Sequence, residues 1–284
     1  MEVIKYRFYL LLFTSIVFAQ PNFKQVEINI STTMDIAYAG KIFLKTTQLV
    51  SDGLYKEEVQ SEYEKFYVRI FAGGNKTVGK VINNSKQALI MYDKTKKKYT
   101  EELFKDIREN NGIPLLKDVT KMEPGGNNNR SNSSDSSRSE DRNNINREIA
   151  RSISNDFINI NGFDCQKITT NISDTNGTVQ IEEWVTSDTS LFMFVESELI
   201  SLINSYGGTY SKPRDSSNWI KAIDSNKKID TIAGEIIKSS IVWKNKEGEN
   251  SFSMSREVLS AAEVNYNFKE FEISKKFKKV PELD

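Results

Sequence analysis

The sequence has no histidine, and it has one cysteine, Cys165, among 284 residues. Without imidazole there is no Ser-His-Asp or Cys-His relay, and zinc sites assembled from histidine and cysteine lack their ligands. A lone cysteine cannot close an internal disulfide. It is left as an intermolecular bridge, a reactive thiol or an inert buried side chain. Activation of a thiol needs a nearby cation or a helix N-terminus, and Lys167, two residues on, is a weak hint of one. An excess of either charge is also missing, with 39 basic and 39 acidic residues. A general nucleic-acid binder would show a basic surplus, so nucleic acid is not an expected partner. After the first 19 residues no long apolar run occurs, so no transmembrane segment is expected there.

What is present begins at the N-terminus. Lys5 and Arg7 precede an apolar stretch from Phe8 to Phe18, and Val17-Phe18-Ala19 offers tolerated residues for cleavage. This three-part pattern predicts a secretory signal peptide over residues 1–19. The apolar run is about half of the ~20 residues that a membrane-spanning helix needs. Export to the periplasm or the cell exterior follows as an expectation, with attachment to an outer membrane no more than peripheral. The remaining 20–284 are read as one domain, long enough to bury a core without disulfides. It is interrupted at 124–145 by a polar insertion that includes "GGNNNRSNSSDSSRSEDRNN". A stretch without apolar residues cannot offset its own ordering entropy, so this one is expected to be disordered.

Periodicity predicts mostly strands before the insertion. Val26–Ile30 alternates, Lys41–Leu49 and Tyr63–Ile70 are rich in β-branched and aromatic residues, and Val78–Ile82 with Gln87–Tyr92 reads as a hairpin about Asn83-Asn84. Thr100 is placed to cap a short helix with Leu103, Phe104 and Ile107 on one face, stopped by Asn110-Asn111-Gly112. After the insertion, Ile145, Ile149 and Ile153 fall at helical spacing. Asn176-Gly177 predicts a two-residue hairpin turn in which Ile172 faces Ile181, Ile168 faces Val185 and Thr169 faces Trp184. Cys165 then shares the Trp184 face and reads as a small core residue. Leu191–Tyr206 and a short segment about Trp219, Ile220 and Ile223 read as helices. Glu235–Trp243, Phe252–Leu259 and Ala262–Phe271 read as strands. The sum is an α+β fold, a curved antiparallel sheet covered on one side.

Reactive groups in recognisable patterns are few. Asp174–Gly177 lacks the ligand series of a calcium loop. Ser225-Asn226-Lys227-Lys228 has a Ser-x-x-Lys spacing without its partner motifs. Glu57-Glu58 and Glu182-Glu183 are adjacent on strands and so point to opposite faces, which leaves them as solvated strand positions. The lysines of "DKTKKK" and of the tail, Lys275 to Lys279, serve equally as charged turns and edge protection or as contacts for anionic lipid head groups. No catalytic residue, metal or cofactor is expected, and an enzyme is not the favoured reading.

Three stretches, "ALIMYDKTKKKYT", "NGFDCQKI…IEEWVT" and "EFEISKKFKKVP", together resemble domain-of-unknown-function family 4412, near the LolA/LppX-like lipoprotein carriers. Gly162, Cys165, Trp184, Phe271 and Ile273 fill the matching places. The resemblance implies a strongly curved antiparallel β-sheet, a half-open barrel, with a few helices on the concave side and an apolar cavity for a lipid or lipoprotein acyl chain. Candidate cavity residues are Phe43, Phe71, Ile90, Phe163, Trp184, Phe192, Phe194 and Ile203. The alternative is an interaction module of the envelope or cell exterior with a filled core, whose partner is an envelope protein.

Overall fold

In the computed structural model, described for residues 23–121, 148–210 and 232–283, twelve strands join in one open, curved sheet ordered β12-β6-β5-β4-β3-β2-β1-β11-β10-β9-β8-β7. The strands are β1 (Val26–Ile36), β2 (Gly40–Ser51), β3 (Leu54–Tyr63), β4 (Lys76–Asn83), β5 (Ala88–Asp93), β6 (Lys98–Leu103), β7 (Glu148–Ile160), β8 (Phe163–Asp174), β9 (Gly177–Thr186), β10 (Glu235–Lys244), β11 (Asn250–Glu263) and β12 (Lys278–Lys279). All pairings are antiparallel except β12 on β6. Among the described residues three helices accompany them: α1 (Phe66–Phe71), α2 (Phe104–Glu109) and α3 (Ser190–Ser205). Among the described residues no helix is long and apolar enough to cross a membrane. The expected signal peptide, the polar insertion, the helix about Trp219 and the Ser225–Lys228 spacing lie outside the described residues.

The sheet does not close into a barrel. Bulges in β11 at Leu259, opposite Asn29 and Ile30, in β10 between Ile236 and Lys238, and in β7 between Ile153 and Phe157 interrupt the ladders. Such insertions bend a strand and increase its twist. Helix α3 and the end of α2 cover the concave face. Phe104 and Ile107 of α2 and Val195 and Leu202 of α3 share one buried cluster with Ile28, Val50, Ile82, Leu89 and Met91. Sequence reading expected cover on one side, but the outer face is covered as well. Beyond β11 the chain makes a 3-10 turn, Phe268–Phe271, and lays Phe271, Ile273 and Phe277 over Leu49, Val81, Ile90 and Tyr92. Every residue of β5 is consequently buried.

Five local expectations are corrected. Ile149 and Ile153 belong to strand β7, where they face Ile172 and Ile168. A spacing of four is even as well as helical, so the same isoleucines line one face of a strand. Tyr63 ends β3, and the aromatic run after it turns into α1. Gly73 N–H and Gly74 N–H bond back to Ile70 O and Arg69 O, a Schellman closure that needs the left-handed φ of +77° at Gly73. Thr100 lies inside β6 and donates to Pro281 O at 3.2 Å, and Leu103 takes the N-cap position of α2.

The fourth correction concerns the β8–β9 register, which is shifted by two residues. Thr175-Asn176 forms the loop, fixed by Asn176 N–H donating to Asp174 Oδ1 at 2.7 Å, so that Ile172 faces Val179, Ile168 faces Glu183 and Lys167 faces Trp184. A shift of two preserves which face each side chain occupies. Cys165 therefore remains on the Trp184 face, fully buried at 0% exposure. Last, β11 runs to Glu263, and the expected strand over 262–271 is instead its last two residues, an irregular stretch over 264–267 and the 3-10 turn.

Candidate functional site: an apolar hollow on the concave face

The alternation of side chains across the pleat sends every second residue of the long strands to the concave face. Cross-strand register arranges them in rows. One row reads Ile36, Phe252, Trp243, Val179, Ile172 and Ile149. The next reads Met34, Met254, Ile241, Ile181, Thr170 and Arg151, and the one after it begins Thr32, Arg256, Ser239, Glu183. Apart from Ile149 and Thr170, these rows line a cavity of about 1680 Å³ together with α3 and the segment after α2. That exceeds the about 300–1,000 Å³ of ordinary small-molecule sites.

The roof is held by specific bonds. Glu102 on β6 accepts from Leu115 N–H at 2.9 Å and Leu116 N–H at 3.1 Å, which draws the segment after α2 over the hollow. Arg108 of α2 donates to Ser205 O at 2.8 Å, and the tip residues Gly112 and Gly207 touch backbone to backbone. Asp118 is thereby presented to the sheet. There Lys80 Nζ lies 2.8 Å from Glu57 Oε2 and 3.1 Å from Asp118 Oδ2, with the Tyr55 ring centroid 5.8 Å away. Thr120 Oγ1 donates to Asp118 Oδ1 at 2.6 Å. Burial alone lowers the affinity of Lys80 for its proton, but Glu57 and Asp118 outweigh it and raise the value. For Asp118 burial acts upward, and Lys80 with the Thr120 bonds brings the value below the ordinary one. Burial and the adjacent Glu57 hold the Tyr55 hydroxyl firmly protonated.

A second charged group lies across the sheet. Arg151 Nη1 donates to Thr170 Oγ1 at 2.8 Å and sits 4.0 Å from Glu183 Oε2. Among the described residues, no group of three or more acidic or cysteine side chains could hold a metal ion.

Of the sequence-derived cavity residues, Phe192 and Ile203 line the hollow. Phe163 stacks at 5.7 Å on Phe192, and Phe194 meets Phe23 edge-on at 5.6 Å, both within the adjoining core. Trp184 also packs against that core but does not line the hollow, and the other three lie elsewhere. Phe43 is on the outer face of β2, half-exposed, because the odd positions of that strand point away from Thr46 and Gln48. Ile90 is on the outer face of β5 beneath the C-terminal segment. Phe71 ends α1 at 89% exposure. Trp184 is opposite Glu183 on β9, its ring between the ammonium groups of Lys167 and Lys238 at 5.1 and 5.7 Å.

The carboxylate pairs do divide between faces. Glu57 joins Lys80 within the hollow, and Glu58 accepts from Tyr92 and pairs with Lys94 outside. Glu57 and Glu183 are not solvated, however, and the single signal in the sequence for them was alternation.

The fold and cavity define an open-sheet β protein with an apolar hollow. No protein-family model matches the chain, and no curated protein matches it. Among solved structures, the crystal structure of a LolA superfamily protein from Nitrosomonas europaea aligns over 89% of this chain and 91% of its own, at 9% identity and a TM-score of 0.27. The assignment to family 4412 therefore stays a resemblance.

Proposed function

We propose that this is an exported, non-catalytic protein of the cell envelope that holds a lipid or other apolar ligand against the concave face of its sheet. The observation that carries the reading is the hollow itself, about 1680 Å³ and lined by Ile30, Met34, Ile82, Met91, Ile181 and Ile241 among others. An acyl chain transferred from water into such surroundings gains about 0.8 kcal/mol per buried methylene. No reactive group is needed for that. The cations and carboxylates of the Lys80 and Arg151 groups are engaged with one another, which suits a wall more than a reaction centre. Native mass spectrometry of protein purified gently from its own envelope or medium tests this. The expected result is added mass that disappears on solvent extraction and matches a lipid. A bare polypeptide mass with an empty extract, together with no displacement of a fluorescent fatty acid, overturns it.

A second reading, an interaction module that docks on another envelope protein, is favoured by one feature. At one end of the central strands, in the β1–β2 turn and in α1 after β3, Tyr38 and Phe71 are 92% and 89% exposed, Phe66 and Ile70 are also exposed, and α1 buries no residue. Large exposed apolar patches on a protein surface mark contact sites. Combined Phe66→Ser and Phe71→Ser substitution abolishes capture of a partner under this reading and leaves ligand binding unchanged.

A further inference from the structure

The two charged groups that wall the cavity are matched internally, but a third cation is not. Arg256 projects from the middle of β11, between Thr32 on β1 and Ser239 on β10. It lines the hollow between Met254 on one side and Val258 on the other. Its Nη1 donates to Ile236 O at 3.3 Å, and Glu235 attracts it without an ion-pair contact. Lys80, by contrast, has carboxylates at 2.8 and 3.1 Å, and Arg151 has Thr170 at 2.8 Å and Glu183 at 4.0 Å. Burial pulls the guanidinium toward deprotonation more than Glu235 counters it. No buried side-chain nitrogen or oxygen among the described residues lacks a hydrogen-bond partner. Any donor of Arg256 not bonded to Ile236 O is therefore not fully buried, and the side chain lines the hollow.

A guanidinium has five donors in a planar fork, and one 3.3 Å bond to a carbonyl leaves most of that fork for another partner. Either the position is wasteful or its partner comes from outside. The surrounding rows indicate which partner. Toward the Trp243 end the floor is apolar over two successive rows, Met34-Met254-Ile241-Ile181 and Ile36-Phe252-Trp243-Val179. Arg256 stands at the polar row that bounds them, Thr32-Arg256-Ser239-Glu183. A molecule whose tail covers the apolar rows brings its head to this arginine.

We propose that Arg256 anchors the head group of the ligand, and that the ligand is an amphiphile bearing one anionic head, a carboxylate or a phosphate, on an acyl or alkyl chain. The fork meets two oxygens of either group in a bidentate pair. Thr32 and Ser239, the cross-strand neighbours of Arg256, add hydroxyl donors at its flanks. The assignment rests on the apolar-ligand reading above and narrows it to a ligand class.

The test compares probes of equal chain length on the purified protein: hexadecanoic acid, hexadecyl phosphate and hexadecanol, each measured by displacement of a fluorescent fatty acid. At least one anionic probe is expected to bind about ten- to a hundredfold more tightly than the alcohol, the range of a charge-assisted bond. Which anion is preferred identifies the head, and inorganic phosphate alone is expected not to displace the tracer. Arg256→Met is expected to remove the preference for the anion while retaining alcohol binding, and Arg256→Lys to keep part of the preference.

Equal binding of acid, phosphate and alcohol to the unsubstituted protein overturns the head-group assignment and leaves the apolar-ligand reading standing. Binding of none of the three overturns both. A preference that persists in a folded Arg256→Met protein places the head elsewhere and also overturns the assignment. The comparison of probes on the unsubstituted protein needs no variant, so a failure of Arg256→Met to fold does not disable the test.

Discussion

Lys80 and Glu57 stand directly opposite each other on β4 and β3, and Lys80 Nζ lies 2.8 Å from Glu57 Oε2 inside the wall of the hollow. Asp118 approaches the same ammonium at 3.1 Å from the roof segment. The cation thus joins sheet and roof. Removing it leaves two carboxylates facing each other in a site where their side chains are only 16% and 22% exposed. Lys80→Met is expected to destabilise the protein by about 3 kcal/mol, the cost of breaking a buried pair from one side. Denaturant titration checks it. A midpoint shift no larger than that of Lys105→Met, whose partner Glu109 is exposed and 3.8 Å away, would show that the cluster holds nothing together.

The same cluster gives stability a definite pH dependence. Asp118 titrates below its ordinary 3.8 in the folded protein, where burial is outweighed by Lys80 and Thr120. Its contribution is therefore complete above that ordinary value and is lost as pH falls through the folded one. Lys80 titrates above its ordinary 10.5. Its contribution is complete below 10.5 and is lost as pH rises through the folded value. The stability difference between the natural protein and Asp118→Asn is expected to stay flat from about pH 5 to about pH 9 and to shrink in acid. Unfolding curves across that range test it, and a difference that grows in acid contradicts the assignment.

Cys165 was read from the sequence as a small core residue, and it lies at 0% exposure in the principal core, with Sγ 3.4 Å from Phe163 O. Burial, helped by Asp164, raises its thiol above the ordinary value. Thiolate is the reactive form, so native protein should resist thiol reagents and label fully after denaturation. Non-reducing electrophoresis should show monomer only. Rapid native labelling, or a dimer that reduction dissolves, would return the thiol to the intermolecular or reactive reading.

The parts of the fold that were legible in the sequence share one property: the evidence for them was local. The β4–β5 and β8–β9 hairpins carry their own turns and alternation, and α3 shows its apolar side over four turns. Where two periods coincide, the sequence was ambiguous. Ile149 and Ile153 satisfy a helix or a strand, and pairing with Ile172 and Ile168 decides it. The run at 63–70 has strand composition, and two glycines downstream close it as a helix. The cavity residues were least legible. Phe43 and Ile90 were singled out as large and apolar, yet the parity of their strands puts them outside. Glu57, Lys80, Glu183 and Arg256 look like ordinary strand charges, and only tertiary register brings them to the hollow. A long-range bond such as Glu102 to the 115–116 amides, which places Asp118, has no local signature.

Gly112 offers a test of the roof itself. Its φ is +75°, and a Cβ built there would lie 1.9 Å from Gly207 O and 2.3 Å from Gly207 C. Backbone cannot yield as a side-chain end can, so Gly112→Ala must separate the end of α2 from the end of α3. The left-handed φ adds its own penalty of about 1 kcal/mol, and overpacking of this kind adds about 1–3 kcal/mol. A loss of about 2–4 kcal/mol is expected from the two together, and the hollow should loosen because Arg108 and Ser205 are drawn apart across the same joint. Gly74→Ala is the control. Its φ of +91° is equally left-handed, but nothing lies within 4 Å of the added carbon, so the conformational penalty acts alone and the roof is untouched. Thermal melts and fatty-acid displacement on both variants separate the effects. If Gly112→Ala and Gly74→Ala lose the same stability and both bind ligand normally, the contact between Gly112 and Gly207 does not hold the roof.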